Sequence, residues 1–302
     1  MEKEYKHNKI KALIDLLDEP NEEIYSEIRQ QMVAFGHEVV PILEEEWGKS
    51  ENRLRQSRLL HIINNLQLEE LYQQLTFWAN FGERDMWEGY LLINRYLFKE
   101  LKREEISKEF DRIRRDVLFE LHEQLTPLQK IRVINHILYE VHRFKGNTRP
   151  GDFIKSYFVN HLFNKHRGSS ISLGILYMSL AQSLGLPVYG ILLPRHFILA
   201  YMDADFPGGV ARKSDVKFYI NPVYQGTIFT KREIVRYLRQ SEQDVSKGYF
   251  YPSSNVEIIK RMIDDVQMGY ENREELSYVE ELDYLKNALN LEDEDEDEES
   301  EL

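Results

Sequence analysis

Three polar residues at the ends of apolar segments have the types and order that could do chemistry. Ser170 precedes an apolar run, His196 opens a short hydrophobic segment, and Asn221 closes another. A serine hydroxyl attacks an amide or ester carbonyl when a histidine takes its proton and a third group orients that histidine. The sequence therefore offers Ser170 as a nucleophile, His196 as its base and Asn221 as the orienting group.

The segments that carry these residues change from helical to strand character. The run Ile171–Leu184 is apolar on nearly every side, which predicts a buried central helix. Three later segments, Val188–Leu193, His196–Met202 and Lys217–Asn221, are short and rich in β-branched and aromatic residues, which predicts strands. A nucleophile at the start of a buried helix gains from the helix dipole and from free backbone N–H groups.

Each of the three residues also has a purely structural interpretation. Ser170 is a natural N-cap for the central helix, a role for which Ser169 and Ser172 compete. A buried His196 would fix the strand and the helix through hydrogen bonds from both ring nitrogens. Asn221 would close a turn, as asparagine side chains commonly do. The residues alone leave both interpretations open.

Helices predominate in the rest of the 302-residue chain. Short amphipathic helices, one of them starting at an Asn21 N-cap, suggest a HEAT-like array in the N-terminal part. The pairs Thr126-Pro127 and Thr230 with Glu233 mark further helix starts. We predict an α+β fold: an N-terminal helical segment at 1–85, a core with a small antiparallel sheet at 86–235, C-terminal helices packed on the core at 236–290, and a disordered tail at 291–302.

Composition excludes several classes of function. The chain has no cysteine, which excludes disulfides, thiolate ligands and a cysteine nucleophile. Nine acidic residues lie between 292 and 301, so the net charge of −13 falls to about −4 without them. No basic stripe with interleaved aromatic residues is visible, so we expect no binding to nucleic acid. No apolar run is long enough to span a membrane, and no apolar signal segment opens the chain. We therefore expect a cytoplasmic protein that does not bind a membrane.

Several features of the sequence predict no metal or cofactor. The spacings of His136 with His142, and of His161 with His166, do not place two ligands on one helix face. Gly208-Gly209 lacks the Lys and Ser/Thr of a phosphate-binding loop. The pair Asp264-Asp265 lies on a predicted helix and indicates a solvated face.

Five motifs in order give the chain a resemblance to a known family. They are FKGN at Phe144–Asn147, Asn160 before HLFNKHRG, RGSSISLGILYMSLAQSLGLPV from Arg167 to Val188, PRHF at Pro194–Phe197, and FYINP at Phe218–Pro222. Between about residues 90 and 225 the chain resembles the SirB family of transglutaminase-like proteins. The resemblance implies a papain-like or transglutaminase-like core, in which enzymes use Cys, His and Asp.

The departures from that pattern bear on function. Ser170 stands where the enzymes have Cys, Asn221 stands in place of Asp, and Arg195 stands in place of the glycine before the histidine. The first hypothesis is therefore a transglutaminase-like pseudoenzyme that serves as a binding or regulatory module for a protein partner. The second is a Ser-dependent hydrolase or acyltransferase that uses Ser170 and His196 on an amide or ester. The third is a helical adaptor for a basic protein partner, with the acidic tail as its arm.

Overall fold

The computed structural model describes residues 2–82, 85–98, 101–147, 151, 153–203, 216–245 and 248–290, with side chains from residue 6 onwards. The predicted acidic tail at 291–302 lies outside these residues. The fold is α+β, as predicted: it is mostly helical and has a small antiparallel sheet. The chain divides into two compact units, Met1–Thr76 and Phe77–Leu302. The predicted four-part division of the chain stays a prediction.

The first unit contains four helices that pack around their own apolar core. They are α1 (Glu2–Asp15), α2 (Glu22–Phe35), α3 (Val40–Lys49) and α4 (Arg53–Phe77), the last of which ends just past the division. The Asn21 side chain accepts hydrogen bonds from the N–H groups of Glu23 and Ile24, so it caps α2 as predicted. The core includes Leu17, Met32, Leu43, Leu59 and Ile62.

Eight helices of the described chain belong to the second unit. They are α5 (Met86–Leu97), α6 (Arg103–Glu120), α7 (Pro127–Asn135), α8 (Val159–Lys165), α9 (Ser170–Ser183), α10 (Lys231–Gln240), α11 (Asn255–Glu271) and α12 (Leu276–Asn287). Capping boxes at Thr126 and Thr230 start α7 and α10. The sequence predicted these two helix starts from Thr126 followed by Pro127 and from Thr230 with Glu233.

Two small β structures complete the second unit. Strands β1 (Lys145–Gly146) and β2 (Arg167–Gly168) form a short parallel pair. Strands β3 (Val188–Leu193), β4 (His196–Met202), β5 (Val216–Asn221) and β6 (Thr227–Phe229) form an antiparallel sheet in sequence order. The sheet covers the three strands predicted from the sequence.

The central helix α9 packs on one face of this sheet. Its residues from Ile171 to Ala181 are all buried. A Cβ atom at Gly174 would clash with the ring of Phe197 on β4, so the helix and the sheet approach closely at this point. The other face packs on α10, where Ile191, Ile198 and Leu238 share a cluster. Helix α9 and helix α10 therefore lie on opposite sides of the sheet.

Candidate functional site

Ser170 is the first residue of α9, and its neighbour performs the capping. The Ser169 side chain accepts a hydrogen bond from the N–H of Ser172 at 3.1 Å. Ser172 is fully buried and its hydroxyl donates to the carbonyl of Ser156 at 2.9 Å. Of the serines considered for the N-cap, Ser169 therefore performs the role and Ser170 does not. Its half-buried hydroxyl has no hydrogen-bond partner within the described residues.

The pleat of β4 assigns His196 to the face of the sheet that packs on α10. His196 pairs with Leu193 across the hairpin, and paired residues share a face. Leu193 belongs to the cluster with Ile234 and Leu238 of α10. The His196 ring lies 5.0 Å from the ring of Tyr237, also on α10. The next residue, Phe197, is the one that faces α9.

His196 is therefore not the buried, doubly bonded histidine considered from the sequence. It is exposed, and no hydrogen bond to its ring nitrogens occurs within the described residues. The neighbouring protein groups still remove enough water to lower the pKa of its imidazole below the usual value. The ring is thus neutral at neutral pH. A neutral imidazole can accept a proton, but it must also face the group that gives one.

Asn221 closes a turn at the end of β5. Its side-chain oxygen accepts hydrogen bonds from the N–H groups of Val223 and Tyr224 at 3.1 and 3.3 Å. This is the structural role considered for it. Within the described residues no hydrogen bond joins Asn221 to His196, although alternation along β5 places both on the α10 face.

Arg195 occupies the second position of the two-residue turn between β3 and β4. Its φ is 61°, in the left-handed region, after Pro194 at the first position. A turn with Pro first and a positive φ second favours glycine at the second position, because a Cβ is strained there. The exposed Arg195 side chain borders the same pocket as His196.

Ser170 and His196 both border a pocket of about 150 Å³. Its wall also carries Tyr157, Arg261 and Asp265. Asp265 accepts a hydrogen bond from the Tyr157 hydroxyl at 3.0 Å and pairs with the Arg261 Nε at 2.9 Å. The pocket wall therefore includes the Asp265 carboxylate, fixed by Tyr157 and Arg261, as well as the serine and the histidine.

The sequence reasoning missed this carboxylate. The interpretation of Asp264-Asp265 as a solvated face holds for Asp264, which is exposed and pairs with Lys286, and is wrong for Asp265. The i,i+4 spacing of Arg261 and Asp265 on one helix was the available signal. Burial, the nearby Asp265 charge and the hydrogen bond to it raise the pKa of Tyr157, so this hydroxyl stays protonated and donates.

Ser170 and His196 thus border one pocket without forming a relay, and Asn221 is not part of the pocket wall. Within the described residues, no hydrogen bond connects Ser170 with His196 or His196 with Asn221. A serine needs a base within hydrogen-bond reach to become a nucleophile. The arrangement instead offers a small pocket whose polar groups are two hydroxyls, an imidazole, a carboxylate and two guanidinium groups.

In the described part of the chain, no group of three His, Asp or Glu side chains is arranged to hold a metal ion. None of the helices described is long and apolar enough to cross a membrane.

More than half of the chain, residues 104–264, matches the family model described as the transglutaminase-like superfamily. The chain belongs to the transglutaminase-like superfamily. The match includes α9, the sheet and the part of the pocket wall from Tyr157 to Arg261, so the helix-and-strand frame around Ser170 and His196 is that of a transglutaminase-like domain.

Curated relatives are similar at low identity. A UPF0162 protein of Buchnera aphidicola is 24% identical over 144 residues, which are 47% of this chain and 50% of that protein. F-box only protein 21 of Mus musculus is 30% identical over 73 residues, or 24% of this chain and 12% of that protein. The chain spans about half the length of the UPF0162 relative. No solved structure matches it.

Proposed function

We propose that this transglutaminase-like protein has lost catalysis and acts as a binding or regulatory module for a protein partner. We also propose that it belongs to the SirB family within the superfamily, on the motifs from Phe144 to Pro222. The cytoplasmic location inferred from the sequence stays a prediction.

The direction of His196 is the observation that carries the proposal. A base for Ser170 must reach its hydroxyl, and although the two residues border one pocket, no hydrogen bond joins them within the described residues. Phe197 faces α9, whereas His196 packs beside Tyr237 of α10. A strand cannot exchange the two without a one-residue slip that would move its whole apolar set.

Two other substitutions support the same conclusion. Asn221 carries no charge, so it would stabilise an imidazolium less well than the aspartate of the enzymes, and its oxygen is already engaged in the turn. Ser170 supplies a hydroxyl with a far higher pKa than a thiol. A similar stretch of only 73 residues within the longer F-box protein supports a module that is used in different proteins.

The absence of cysteine allows a direct test. In the variant Ser170→Cys the new thiol is the only one in the chain, so its alkylation rate reports on this position alone. A thiol activated by a nearby histidine has a pKa several units below the ordinary value of about 8.5. The helix N-terminus and the arginines of the pocket act on this thiol in either case, so the test is the difference that His196 makes: we expect the alkylation profile to be the same in Ser170→Cys and in Ser170→Cys/His196→Ala.

A strongly lowered thiol pKa that returns to normal when His196 is replaced would contradict the proposal. Circular dichroism and thermal unfolding of both variants establish that they are folded. Turnover of amide and ester substrates by the unmodified chain, lost in His196→Ala, would contradict it independently.

A Ser-dependent hydrolase or acyltransferase is the second candidate. It is favoured by one observation: Ser169 performs the capping, which leaves the Ser170 hydroxyl available at the pocket. This function requires labelling by a serine-directed fluorophosphonate that is lost in both Ser170→Ala and His196→Ala. The adaptor hypothesis for a basic partner rests on the tail at 291–302 and stays a prediction.

A further inference from the structure

A large basic groove lies in the second unit, away from the Ser170 pocket. It has a volume of about 960 Å³ and is formed by α6, α8, the β1–β2 pair and the segments beside them. Seven lysine and arginine side chains line it against two glutamates. An excess of five positive charges is unusual in a chain whose net charge is −13.

The floor of the groove places like charges side by side. Lys145 of β1 and Arg167 of β2 are partners in the parallel pair, which is held by a hydrogen bond from the Lys145 N–H to the His166 carbonyl at 2.9 Å. Like charges on directly paired residues repel each other, and an anion bound beside both would reduce that repulsion.

Most of the cations have no acidic partner nearby. Within the described residues no ion pair involves Lys108, Arg143, Lys145, Lys165 or Arg167. The two glutamates of the lining are engaged instead with its other two cations: Glu105 pairs with Lys102, and Glu109 pairs with Arg112. The groove therefore presents five charges that only an added anion would neutralise.

We propose that this groove binds the acidic C-terminal segment of the same chain, residues 291–302. Nine carboxylates occur between positions 292 and 301, the only acidic run of that length in the sequence. A groove with an excess of five cations and a segment with nine anions are electrostatically complementary. The inference goes beyond the proposed function, because it concerns a different surface.

The segment can reach the groove. Helix α12, which precedes it, is joined to the end of α5 by a hydrogen bond of 2.7 Å from the Tyr96 hydroxyl to Glu281. Phe98, two residues after Tyr96, already lines the groove. Twelve residues in extended conformation span about 40 Å. The nine residues from Glu281 to Asn290 span less than that at any extension, so the segment that follows Asn290 is long enough to return to the groove.

An acidic peptide fits the lining better than a nucleic acid does. Proteins that bind single strands offer exposed aromatic rings on which bases stack. Phe98 of this groove is half-buried, Phe163 is buried, His142 pairs with Asp116, and the exposed ring of His166 already packs beside Phe144. Lysine and arginine on flexible stems, with little stacking surface beside them, are suited to carboxylates spaced along an extended chain.

Fluorescence anisotropy with a labelled peptide of residues 291–302 tests the proposal on full-length protein. In one variant, the eight acidic residues at 292–299 are replaced by the corresponding amides. We expect this variant to bind the peptide at least tenfold more tightly than the unmodified chain does, because a tethered tail competes at an effective concentration near the millimolar range. Raising the salt concentration from about 20 to 150 mM should weaken the binding of the peptide to the amide variant.

Charge reversal locates the site. In the amide variant, Lys145→Glu/Arg167→Glu should weaken peptide binding at least tenfold. If this charge reversal disturbs folding, the neutral pair Lys145→Gln/Arg167→Gln replaces it and should also weaken peptide binding. The matched control is Arg232→Glu/Arg236→Glu on the exposed face of α10, which changes the net charge equally and should leave binding within twofold.

Three outcomes would overturn the proposal. In the first, the unmodified chain and the amide variant bind the peptide equally. In the second, the control substitutions on α10 weaken binding as much as the groove substitutions do. In the third, a single-stranded RNA binds more tightly than the peptide, and this RNA binding is lost when Lys145 and Arg167 are replaced. The last result would assign the groove to nucleic acid.

Discussion

Ser169 caps α9 because it has the extended backbone that an N-cap requires, with φ −64° and ψ 171°, and its hydroxyl reaches the N–H three residues on. Ser170 is already helical, so its hydroxyl cannot turn back onto those N–H groups. With serines at 169, 170 and 172, the sequence identified the start of the helix to within one residue. It could not assign the cap, because the three hydroxyls differ only in the backbone conformation that carries them.

The turn at Arg195 carries strain that a substitution should relieve. A left-handed conformation costs a residue with a Cβ about 1–2 kcal/mol, and glycine avoids most of that cost. We expect Arg195→Gly to raise the free energy of unfolding by about 0.5–1 kcal/mol, after allowing for the greater freedom of glycine in the unfolded chain. Urea denaturation of the unmodified chain and the variant measures this difference.

Arg195→Ala separates backbone strain from side-chain charge. Alanine removes the guanidinium but keeps the Cβ at φ 61°. The strain account therefore requires that alanine give no gain. Equal stabilisation by alanine and glycine would attribute the effect to the arginine side chain instead.

The residue pattern of β4 did not indicate which face of the sheet His196 lies on. A strand that is buried on one side alternates apolar and polar residues, and so reveals its faces. Every residue of β4 from Phe197 to Met202 is buried, because α9 covers one face and α10 the other. The sequence therefore predicted the strand and its first residue, but not which side of the sheet that residue faces.

The close approach of α9 to the sheet predicts a steep cost for a single methyl group. At Gly174, an added Cβ would run into the Phe197 ring, which is almost fully buried and has little room to move. Overpacking of this kind costs typically 1–3 kcal/mol. We expect Gly174→Ala to lower the free energy of unfolding by about 2 kcal/mol, measured by urea denaturation.

Gly48→Ala is the matched control for that substitution. Gly48 also lies within a helix, α3, but no heavy atom lies within 4 Å of an added Cβ. Alanine is a better helix former than glycine by about 1 kcal/mol. A gain in stability at Gly48 together with a loss at Gly174 would assign the loss to the contact with Phe197. Similar losses at both positions would contradict this explanation.

Charge is the property that sequence inspection judged least well for the whole chain. The basic groove draws its cations from α6 and Lys102 just before it, from the segment around Lys145 and from the end of α8. These three segments are 20 to about 30 residues apart in the sequence and each contributes only two or three charges, so no basic stripe is visible along the sequence. Burial patterns and caps are local and could be predicted, whereas a surface assembled from distant segments required the fold.

The division into two units predicts that damage to one should spare the other. Arg58 of α4 is buried, and its guanidinium donates to the Leu17 carbonyl at 3.2 Å and to Glu22 at 2.7 Å. We expect Arg58→Leu to destabilise the first unit by about 1–3 kcal/mol, since it leaves the buried Leu17 carbonyl without this donor, whereas the exposed Glu22 carboxylate is solvated. Hydrogen exchange should then accelerate in α1–α4 and remain unchanged in the α9 amides. The exposed Arg53→Leu is the control, and equal acceleration in α9 would mean that the chain unfolds as one cooperative body.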